Sequence, residues 1–468
     1  MNLPSDLHYL EMHELSLLIR SRKLSPVEVT QAQLARIAAL DGELHSYARV
    51  TPELALQQAR EAEDELARGI CRSPLHGIPL AYKDLLDTAG VVTAAGMPLH
   101  SGRIPQRDAT VVARLREAGV VMLGKLQMTE GAFAIHHPSI TAPNNPWNAG
   151  HWVGASSSGC GVATAAGLCY ASLGSDTGGS IRFPCAANGL TGLKPTWGRV
   201  SRHGAFEMAA SLDHIGPITR SARDALFLLS TIAGHDPLDP TSQPSVCLEV
   251  PSIDDTFRGL RVGIDESWLS DGVDPPIQQA LQQIMQMIRE GGGKLLSIRM
   301  PDTRAVSRNW EAHCGVQTAV AHAATYPQQA SDYGTALSRL IDGGRALSGM
   351  DYQRILLEAQ NFTGATDALL HGLDLVLAPV QPYAAPTHEQ LASLALDPEA
   401  NRRLIQFTAP FNVSGHPCLS LPIGLTEGGL PLGGQFIARK GAEAVLCRAG
   451  MAVQRLSDWH RRRPPNLP

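Results

Sequence analysis

The 468-residue sequence lacks several features that would each indicate a class of protein. It has no excess of basic residues: the net charge is -5 and the pI is near 6.4, which argues against nucleic acid as a partner. No run approaches the ~18 uninterrupted apolar residues of a membrane span. Residues 1–6 contain neither a basic nor an apolar segment, so we expect no signal peptide and a cytoplasmic location. The arginine run at 461–463 is interpreted as a solvated tail.

Several short catalytic and metal-binding motifs are also absent. Neither the Gly-x-Ser-x-Gly nucleophile elbow nor the Gly-x4-Gly-Lys-Ser/Thr phosphate loop occurs. The eight cysteines show no Cys-x-x-Cys spacing, and we interpret them as small buried residues in a reducing cytosol. His136 and His137 are adjacent and have no helical His-x-x-x-His partner. We therefore expect no metal and no other cofactor.

Turn and capping signals divide the chain into four parts of one predicted α/β body. Residues 1–70 are predicted to be helical, with a capping box at 25–28 and a second helix from Thr51 to about Arg68. Residues 71–235 alternate apolar runs with amphipathic helices, which indicates buried strands. A Pro- and Asp-rich connection at 236–252 then opens a mostly helical insertion, 236–372, before the strand pattern returns over 373–468. Within the insertion, helices are predicted at about 275–290, 305–325, 333–346 and 351–371.

Lysine is scarce, which draws attention to the position of each one. Only six of the 39 basic residues are lysines, and Lys83 directly follows an apolar, strand-like run. Burial disfavours the charged form of a lysine, so a buried Lys83 could act as a general base near neutral pH. A surface lysine paired with Asp84 explains this segment equally well.

Two runs rich in glycine and serine lie in the same part of the chain. They read GASSSG at 154–159 and GSDTGGSIRFP at 174–184, and twelve glycines fall between Gly150 and Gly204. A pair such as Gly178-Gly179 lets successive backbone N–H groups converge on one point, as an oxyanion requires. A serine after such a turn can attack a carbonyl if a base removes its proton. Loop packing could explain either run alone, but their occurrence together with Lys83 favours acyl transfer.

These motifs together resemble the amidase signature family. The likeness extends to GLKPTWGRVS at 192–201, SLDHIGP at 211–217 and NVSGHP at 412–417, and it is strongest over residues 65–235. The resemblance implies the amidase signature fold, an α/β fold with a large twisted mixed β-sheet covered by helices on both faces. It also implies metal-free hydrolysis of a C–N acyl bond, in an amide or a carbamate, through a serine acyl-enzyme.

The resemblance also assigns roles to individual residues. Ser180 takes the position of the nucleophile, Ser156 that of a bridging serine held by a cis peptide bond, and Lys83 that of the base. Because three serines are adjacent, Ser157 is the alternative bridge, and Lys194 is a competing base that matches a downstream structural motif. The oxyanion would meet the N–H groups of Thr177, Gly178, Gly179 and Ser180, with Ser157, Asp176 and Arg182 supporting the loop.

The substrate and the assembly are less constrained. Met128, Thr129, Glu130 and Trp152 lie where the resemblance places the substrate pocket, which suggests an apolar or aromatic group on the substrate; ordinary loop packing is the alternative. A small-molecule amide is the expected substrate. The alternatives are a carbamate and the glutaminase-type A subunit of a tRNA-dependent amidotransferase, which needs partner chains. A non-catalytic scaffold is disfavoured because all three catalytic positions keep their chemistry. The resemblance also implies a homodimer, the common oligomeric state of the family.

Overall fold

An eleven-stranded mixed sheet organises the computed structural model, which describes residues 6–244, 256–394, 397–465 and 467. The strand order is β1-β3-β2-β4-β6-β5-β10-β11-β9-β7-β8. Strand β2 runs parallel to β3 and β4, and β7 runs parallel to β8 and β9, while the other neighbours are antiparallel. The strands are β1 (Tyr47–Val50), β2 (Pro79–Lys83), β3 (Val121–Leu126), β4 (Ser172–Asp176), β5 (Thr191–Lys194), β6 (His214–Thr219), β7 (Arg261–Ile264), β8 (Lys294–Ser297), β9 (Leu375–Pro379), β10 (Cys418–Leu425) and β11 (Pro431–Ile437).

Sixteen α-helices pack with this sheet in the described part of the chain. They are α1 (Met12–Arg20), α2 (Pro26–Leu44), α3 (Pro52–Ala67), α4 (Thr110–Glu117), α5 (Ser158–Ala165), α6 (Arg182–Asn188), α7 (Ala222–Ile232), α8 (Glu266–Ser270), α9 (Pro275–Glu290), α10 (Arg304–Ala321), α11 (Thr335–Ala346), α12 (Gly349–His371), α13 (His388–Leu394), α14 (Pro398–Ile405), α15 (Ala409–Val413) and α16 (Glu443–Leu456). The predicted α/β class with a large mixed sheet is confirmed.

Both faces of the central strands are buried. In β2, Leu80 and Tyr82 belong to one hydrophobic cluster and Ala81 to another. Because successive side chains of a strand point to opposite faces, the sheet separates two apolar layers. This explains why the central strands read as continuous apolar runs in the sequence.

Local signals place several helices where the sequence predicts them. The Ser25 side chain accepts hydrogen bonds from the N–H groups of Val27 and Glu28, and Glu28 completes the capping box of α2. Helix α3 begins at Pro52, and α9 spans the predicted residues 275–290. The four predicted helices of the insertion are therefore present as α9 to α12.

Two parts of the chain predicted as helical also supply strands. The insertion contributes β7 and β8, and the N-terminal part contributes β1. These strands have four residues each, and β1 and β8 form the exposed edges of the sheet, so none shows a long apolar pattern. The predicted boundary at 236–252 lies partly outside the described residues. The N-terminal segment 1–5 lies wholly outside them.

Other sequence expectations have mixed outcomes. Of the seven described cysteines, all free, six are buried, but Cys71 is exposed; Cys247 lies outside the described residues. The arginine tail is largely exposed but not unpaired, since Arg463 stacks on the Tyr9 ring at 4.3 Å and Arg461 lies 3.6 Å from Glu11. Among the helices described, none is long and apolar enough to cross a membrane.

The sheet brings Lys83 and the glycine- and serine-rich run at 174–184 to one edge. Strand β2 ends at Lys83, and its parallel neighbour β4 ends at Asp176. The carboxyl ends of neighbouring parallel strands lie at the same edge of a sheet, where α/β folds place their ligands. The turns that precede α5 and α6 therefore meet the end of β2.

Candidate active site

Lys83 is buried at the end of β2, beside two serines. Its Nζ lies 2.6 Å from Ser156 Oγ and 2.8 Å from Ser175 Oγ, and none of the residue is exposed. Burial lowers the pKa of Lys83 to about 8, and the nearby Cys160, Asp213 and Asp176 only partly oppose this effect. Lys83 is therefore poised to lose its proton near neutral pH while in contact with a hydroxyl.

Two other lysines share this burial but not this contact. Burial also lowers the pKa of Lys125 and of Lys194 to about 8. The Lys125 ammonium donates to the Leu86 carbonyl and to Thr93 Oγ1, whereas Lys194 donates to the Pro195 carbonyl at 3.0 Å. The position beside Ser156 distinguishes Lys83 from both.

The serine cluster presents one serine to the lysine. The Ala155–Ser156 peptide bond is cis, and Ser156 is almost fully buried against Lys83. Ser157 Oγ instead donates to the Ser175 carbonyl at 3.2 Å and accepts from the Ser175 N–H at 3.3 Å. Of the two bridge candidates, Ser156 is therefore the one in contact with Lys83, while Ser157 ties the cluster to β4.

Ser180 lies on a tight turn between β4 and α6. It is more exposed than the residues around it, and it lines the same cavity as Ser156. The turn requires glycine at position 179, where φ is +138° and a Cβ atom would collide with the Phe183 ring. The Ser157 N–H approaches the Ser180 carbonyl at 3.4 Å, which links the two glycine-serine runs.

A buried ion pair between Arg182 and Asp176 stabilises this turn. Arg182 donates to both carboxylate oxygens of Asp176, at 2.9 and 3.0 Å, and neither side chain is exposed. The Asp176 oxygens also accept from the N–H groups of Gly179 at 2.8 Å and Ile181 at 3.1 Å. Burial alone would raise the pKa of Asp176, but Arg182, Lys194 and Asn412 together outweigh it and hold that pKa well below its ordinary value. Asn412 completes the network by donating to Asp176 and accepting from Arg182.

This network changes the predicted set of oxyanion donors. The Gly179 N–H donates to Asp176, so it is less available to an oxyanion than the other predicted donors. The N–H groups of Thr177, Gly178 and Ser180 donate to no atom of the residues that the structure describes. The turn carbonyls have their own partners, since Trp310 Nε1 donates to the Thr177 carbonyl at 3.0 Å and Thr408 Oγ1 to the Gly178 carbonyl at 2.6 Å.

A cavity of about 160 Å³ opens onto Ser180, Ser156 and the turn at Thr177 and Gly178. Most of its wall is apolar, and Glu311 and Asn401 are the polar residues that lie away from the serines. The apolar lining residues are Ala132, Phe133, Ala134, Ile135, Trp152, Ala155, Phe183, Met208, Trp310, Leu391, Leu394, Leu404 and Ile405. No lysine, arginine or histidine lies among the described residues of this wall.

The predicted pocket residues divide into two groups. Trp152 lines the cavity, but Met128, Thr129 and Glu130 do not. These three are buried, and the Glu130 carboxylate accepts a hydrogen bond from the Gly334 N–H at 2.8 Å. A one-turn 3₁₀ helix, Glu130–Ala132, intervenes, so the chain reaches the cavity only at 132–135.

Four residues of the site escape sequence reasoning. Ser175 touches Lys83, while Trp310, Thr408 and Asn412 hold the turn from positions 133 to 236 residues away from their partners. The register of β2 beside β4 would have located Ser175, but that register is visible only in the structure. Trp310 lies on α10 without any local motif.

Three side chains that do not line the cavity have the composition of a metal site. Glu11, His13 and Asp224 place ligand atoms within 4.8 Å of one another. The Asp224 oxygens already accept from the N–H groups of Met12 and His13, and from the His13 ring. The group therefore fits a cap for the start of α1.

Comparisons with known proteins show which family the chain resembles. The Amidase family model matches residues 28–447. The chain is 47% identical over 456 residues to AmiD of Mycobacterium tuberculosis, an amidase by its name, covering 97% of this chain and 96% of AmiD. It is 36% identical over 492 residues to the A subunit of the glutamyl-tRNA(Gln) amidotransferase of Chloroflexus aggregans, covering 98% of this chain and 99% of that one.

Solved structures show the same fold. The peptide amidase of Stenotrophomonas maltophilia superimposes with a TM-score of 0.82 at 29% identity, covering 98% of both chains. A 6-aminohexanoate cyclic dimer hydrolase superimposes with a TM-score of 0.88 at 26% identity, covering 98% of this chain and 100% of that one. These matches confirm the predicted fold, and the chain belongs to the amidase signature family of hydrolases that cleave carbon–nitrogen bonds.

Proposed function

We propose that the chain hydrolyses a neutral, apolar amide through a Ser180 acyl-enzyme, with Ser156 as the proton bridge and Lys83 as the base. The observation that carries this proposal is the 2.6 Å contact between Lys83 Nζ and Ser156 Oγ at the cavity that Ser180 lines. Desolvation of Lys83 makes its neutral form accessible, and a neutral amine can accept a proton from a hydroxyl.

The reaction begins with proton transfer along this chain of groups. Lys83 accepts the Ser156 proton, Ser156 Oγ accepts the Ser180 proton, and Ser180 Oγ forms a bond to the amide carbon. The oxygen of the tetrahedral intermediate then carries the negative charge. We assign its stabilisation to the N–H groups of Gly178 and Ser180, since preorganised donors of this kind lower the barrier of acyl transfer.

The second half of the reaction uses the same groups in reverse. The Lys83 ammonium returns the proton through Ser156 to the leaving nitrogen, and the C–N bond breaks to release an amine. Water then attacks the acyl-enzyme and gives its proton to the relay. Collapse of the second intermediate returns a proton to Ser180 Oγ and releases the carboxylic acid.

The cavity wall argues for an uncharged substrate rather than glutamine. Glutamine carries an α-carboxylate, and an unpaired charge is costly to bury. The described wall offers no lysine or arginine to pair with that carboxylate, whereas its apolar side chains suit a hydrocarbon or aromatic group. This argues against the glutaminase-type alternative in spite of the 36% identity to an amidotransferase chain. Carbamates require the same attack and the same donors, so they remain candidate substrates.

A serine-reactive fluorophosphonate should label the wild-type protein at Ser180. The Ser180→Ala variant should lose this label completely, because the proposed nucleophile is gone. Peptide mass spectrometry after labelling gives the measurement. Ser158→Ala is the matched control from the neighbouring cluster, since Ser158 Oγ contacts His136 rather than Lys83, and it should keep the label. Undiminished labelling of Ser180→Ala would overturn the nucleophile assignment.

Substrate preference tests the apolar wall. An anilide with a bulky acyl group should show a kcat/KM about 10²-fold above that of a short aliphatic primary amide, since each buried CH₂ contributes about 0.8 kcal/mol. Matched carbamates and glutamine complete the panel, and glutamine should be among the poorest substrates. A preference for the short amide or for glutamine would contradict the proposed substrate class.

A further inference from the structure

We propose that Trp310 of α10 is a positioning residue for the oxyanion: its indole N–H orients the Thr177–Gly178 peptide so that the Gly178 N–H faces the reacting carbonyl. This inference rests on the proposed acyl-enzyme function and identifies the group that prepares its oxyanion site. The bond that carries it runs from Trp310 Nε1 to the Thr177 carbonyl, at 3.0 Å.

The argument begins with the geometry of a peptide bond. In a planar trans peptide, the carbonyl of one residue and the N–H of the next point in opposite directions. A donor that holds the Thr177 carbonyl therefore also fixes the direction of the Gly178 N–H. That N–H makes no hydrogen bond within the described residues, so it is available to an oxyanion.

The neighbouring peptide is held differently. The Gly178 carbonyl accepts from Thr408 Oγ1 at 2.6 Å, and the Gly179 N–H donates to Asp176 at 2.8 Å, so this peptide is fixed at both edges. Among the described residues, the Thr177–Gly178 peptide has a partner at its carbonyl alone, which is Trp310. The orientation of the Thr177–Gly178 peptide therefore depends strongly on the Trp310 hydrogen bond. The Gly178–Gly179 peptide has two partners and depends less on either one.

The packing of Trp310 supports this role. The residue is 9% exposed, and its ring lies so close to the turn that a Cβ atom at Gly178 would be 2.6 Å from Trp310 Cζ2. The indole thus lies flush against the peptide that it orients, and it also forms part of the cavity wall. An apolar substrate group packed on this ring would contact the residue that positions the oxyanion donor.

A pair of tryptophan variants separates positioning from simple wall contact. Trp310→Phe keeps an aromatic ring but removes the N–H, whereas Trp152→Phe alters another tryptophan of the same cavity wall that makes no such bond to the turn. Loss of a direct oxyanion donor costs about 10²–10³ in rate. Because Trp310→Phe misdirects the donor without deleting it, kcat for the anilide should fall about 10–100-fold with KM within about twofold of wild type. Trp152→Phe should act mainly on KM, because it removes no hydrogen bond to the turn.

Threonine variants supply the rescue test. Thr408→Val should lower kcat less than Trp310→Phe does, because Asp176 still holds the other edge of the Gly178–Gly179 peptide, and Thr408→Ser, which keeps the hydroxyl, should restore it. If Trp310→Phe keeps a wild-type kcat, or raises KM alone as Trp152→Phe does, the positioning role is overturned. If Trp310→Phe does not fold, Trp310 is replaced by 3-benzothienylalanine, which keeps the shape of the ring without the N–H, and a wild-type kcat in that protein overturns the role equally. Failure of wild-type labelling at Ser180 would instead overturn the proposed function itself.

Discussion

Replacing Lys83 by methionine should lower kcat about 10³-fold, because general base catalysis typically contributes 10²–10⁴-fold. Methionine matches the unbranched stem of the lysine and suits a buried position, so the variant should fold. Turnover of the best anilide gives the rate, and thermal unfolding checks the fold. Lys125→Met is the matched control, since Lys125 has the same burial and a similarly lowered pKa but contacts Leu86 and Thr93 instead of the serines.

The pH profile of the wild type provides a second readout of Lys83. Its pKa is lowered to about 8, so it is a charged acid below that pH and a neutral base above it. The kcat/KM should therefore rise about tenfold per pH unit toward pH 8 and then level off, since this parameter reports the free enzyme. A rate that falls between pH 6 and 8, or a Lys83→Met loss no larger than that of Lys125→Met, would contradict the assignment.

The Asp176→Asn variant should lose about 3–5 kcal/mol of unfolding free energy, the usual cost of leaving one buried charge without its partner. Arg182 is fully buried and would retain only neutral partners such as Asn412. Chemical denaturation measures the loss. Asp302→Asn is the control, because Asp302 pairs with Arg304 at 2.7 Å but is 57% exposed, and its removal should leave stability near that of wild type.

A double variant separates the two tasks of Asp176. Asp176→Asn with Arg182→Met removes both charges, so it should recover part of the lost stability. Activity should stay low, because the carboxylate that accepts from Gly179 and Ile181 is still missing and the turn loses its anchor. Full activity in the single variant, or recovery of activity together with stability in the double variant, would show that Asp176 does not hold the catalytic turn.

The sequence predicts features that depend on neighbouring residues. The Ser25 capping box, the start of α3 at Pro52 and the extent of α9 are all encoded within a few positions, and the structure reproduces them. Strands β7 and β8 escape prediction because four residues at or near a sheet edge carry no extended pattern. Pairing with distant strands creates these elements.

The same distinction applies to the site. Long motifs identify Lys83, Ser156 and Ser180, but the motif alone cannot show which N–H groups of the turn are free. The sequence predicts Gly179 as an oxyanion donor, and only the folded structure reveals that Asp176 already binds its N–H. Residues 132–135 line the cavity in place of the predicted residues 128–130, because a tight turn over Glu130–Ala132 intervenes. Residue type alone does not encode this shift.

The strand order has a consequence for how the enzyme is made. Strands β10 and β11 lie between β5, which follows the glycine- and serine-rich runs, and β9 of the C-terminal part. Thr408 and Asn412, just before β10, hold the turn that carries Ser180. When the ribosome has passed α6, every proposed catalytic side chain is already in the nascent chain, yet strands β5 to β11 have still to be synthesised. Activity must therefore appear late and abruptly during synthesis, when the last strands join the two halves.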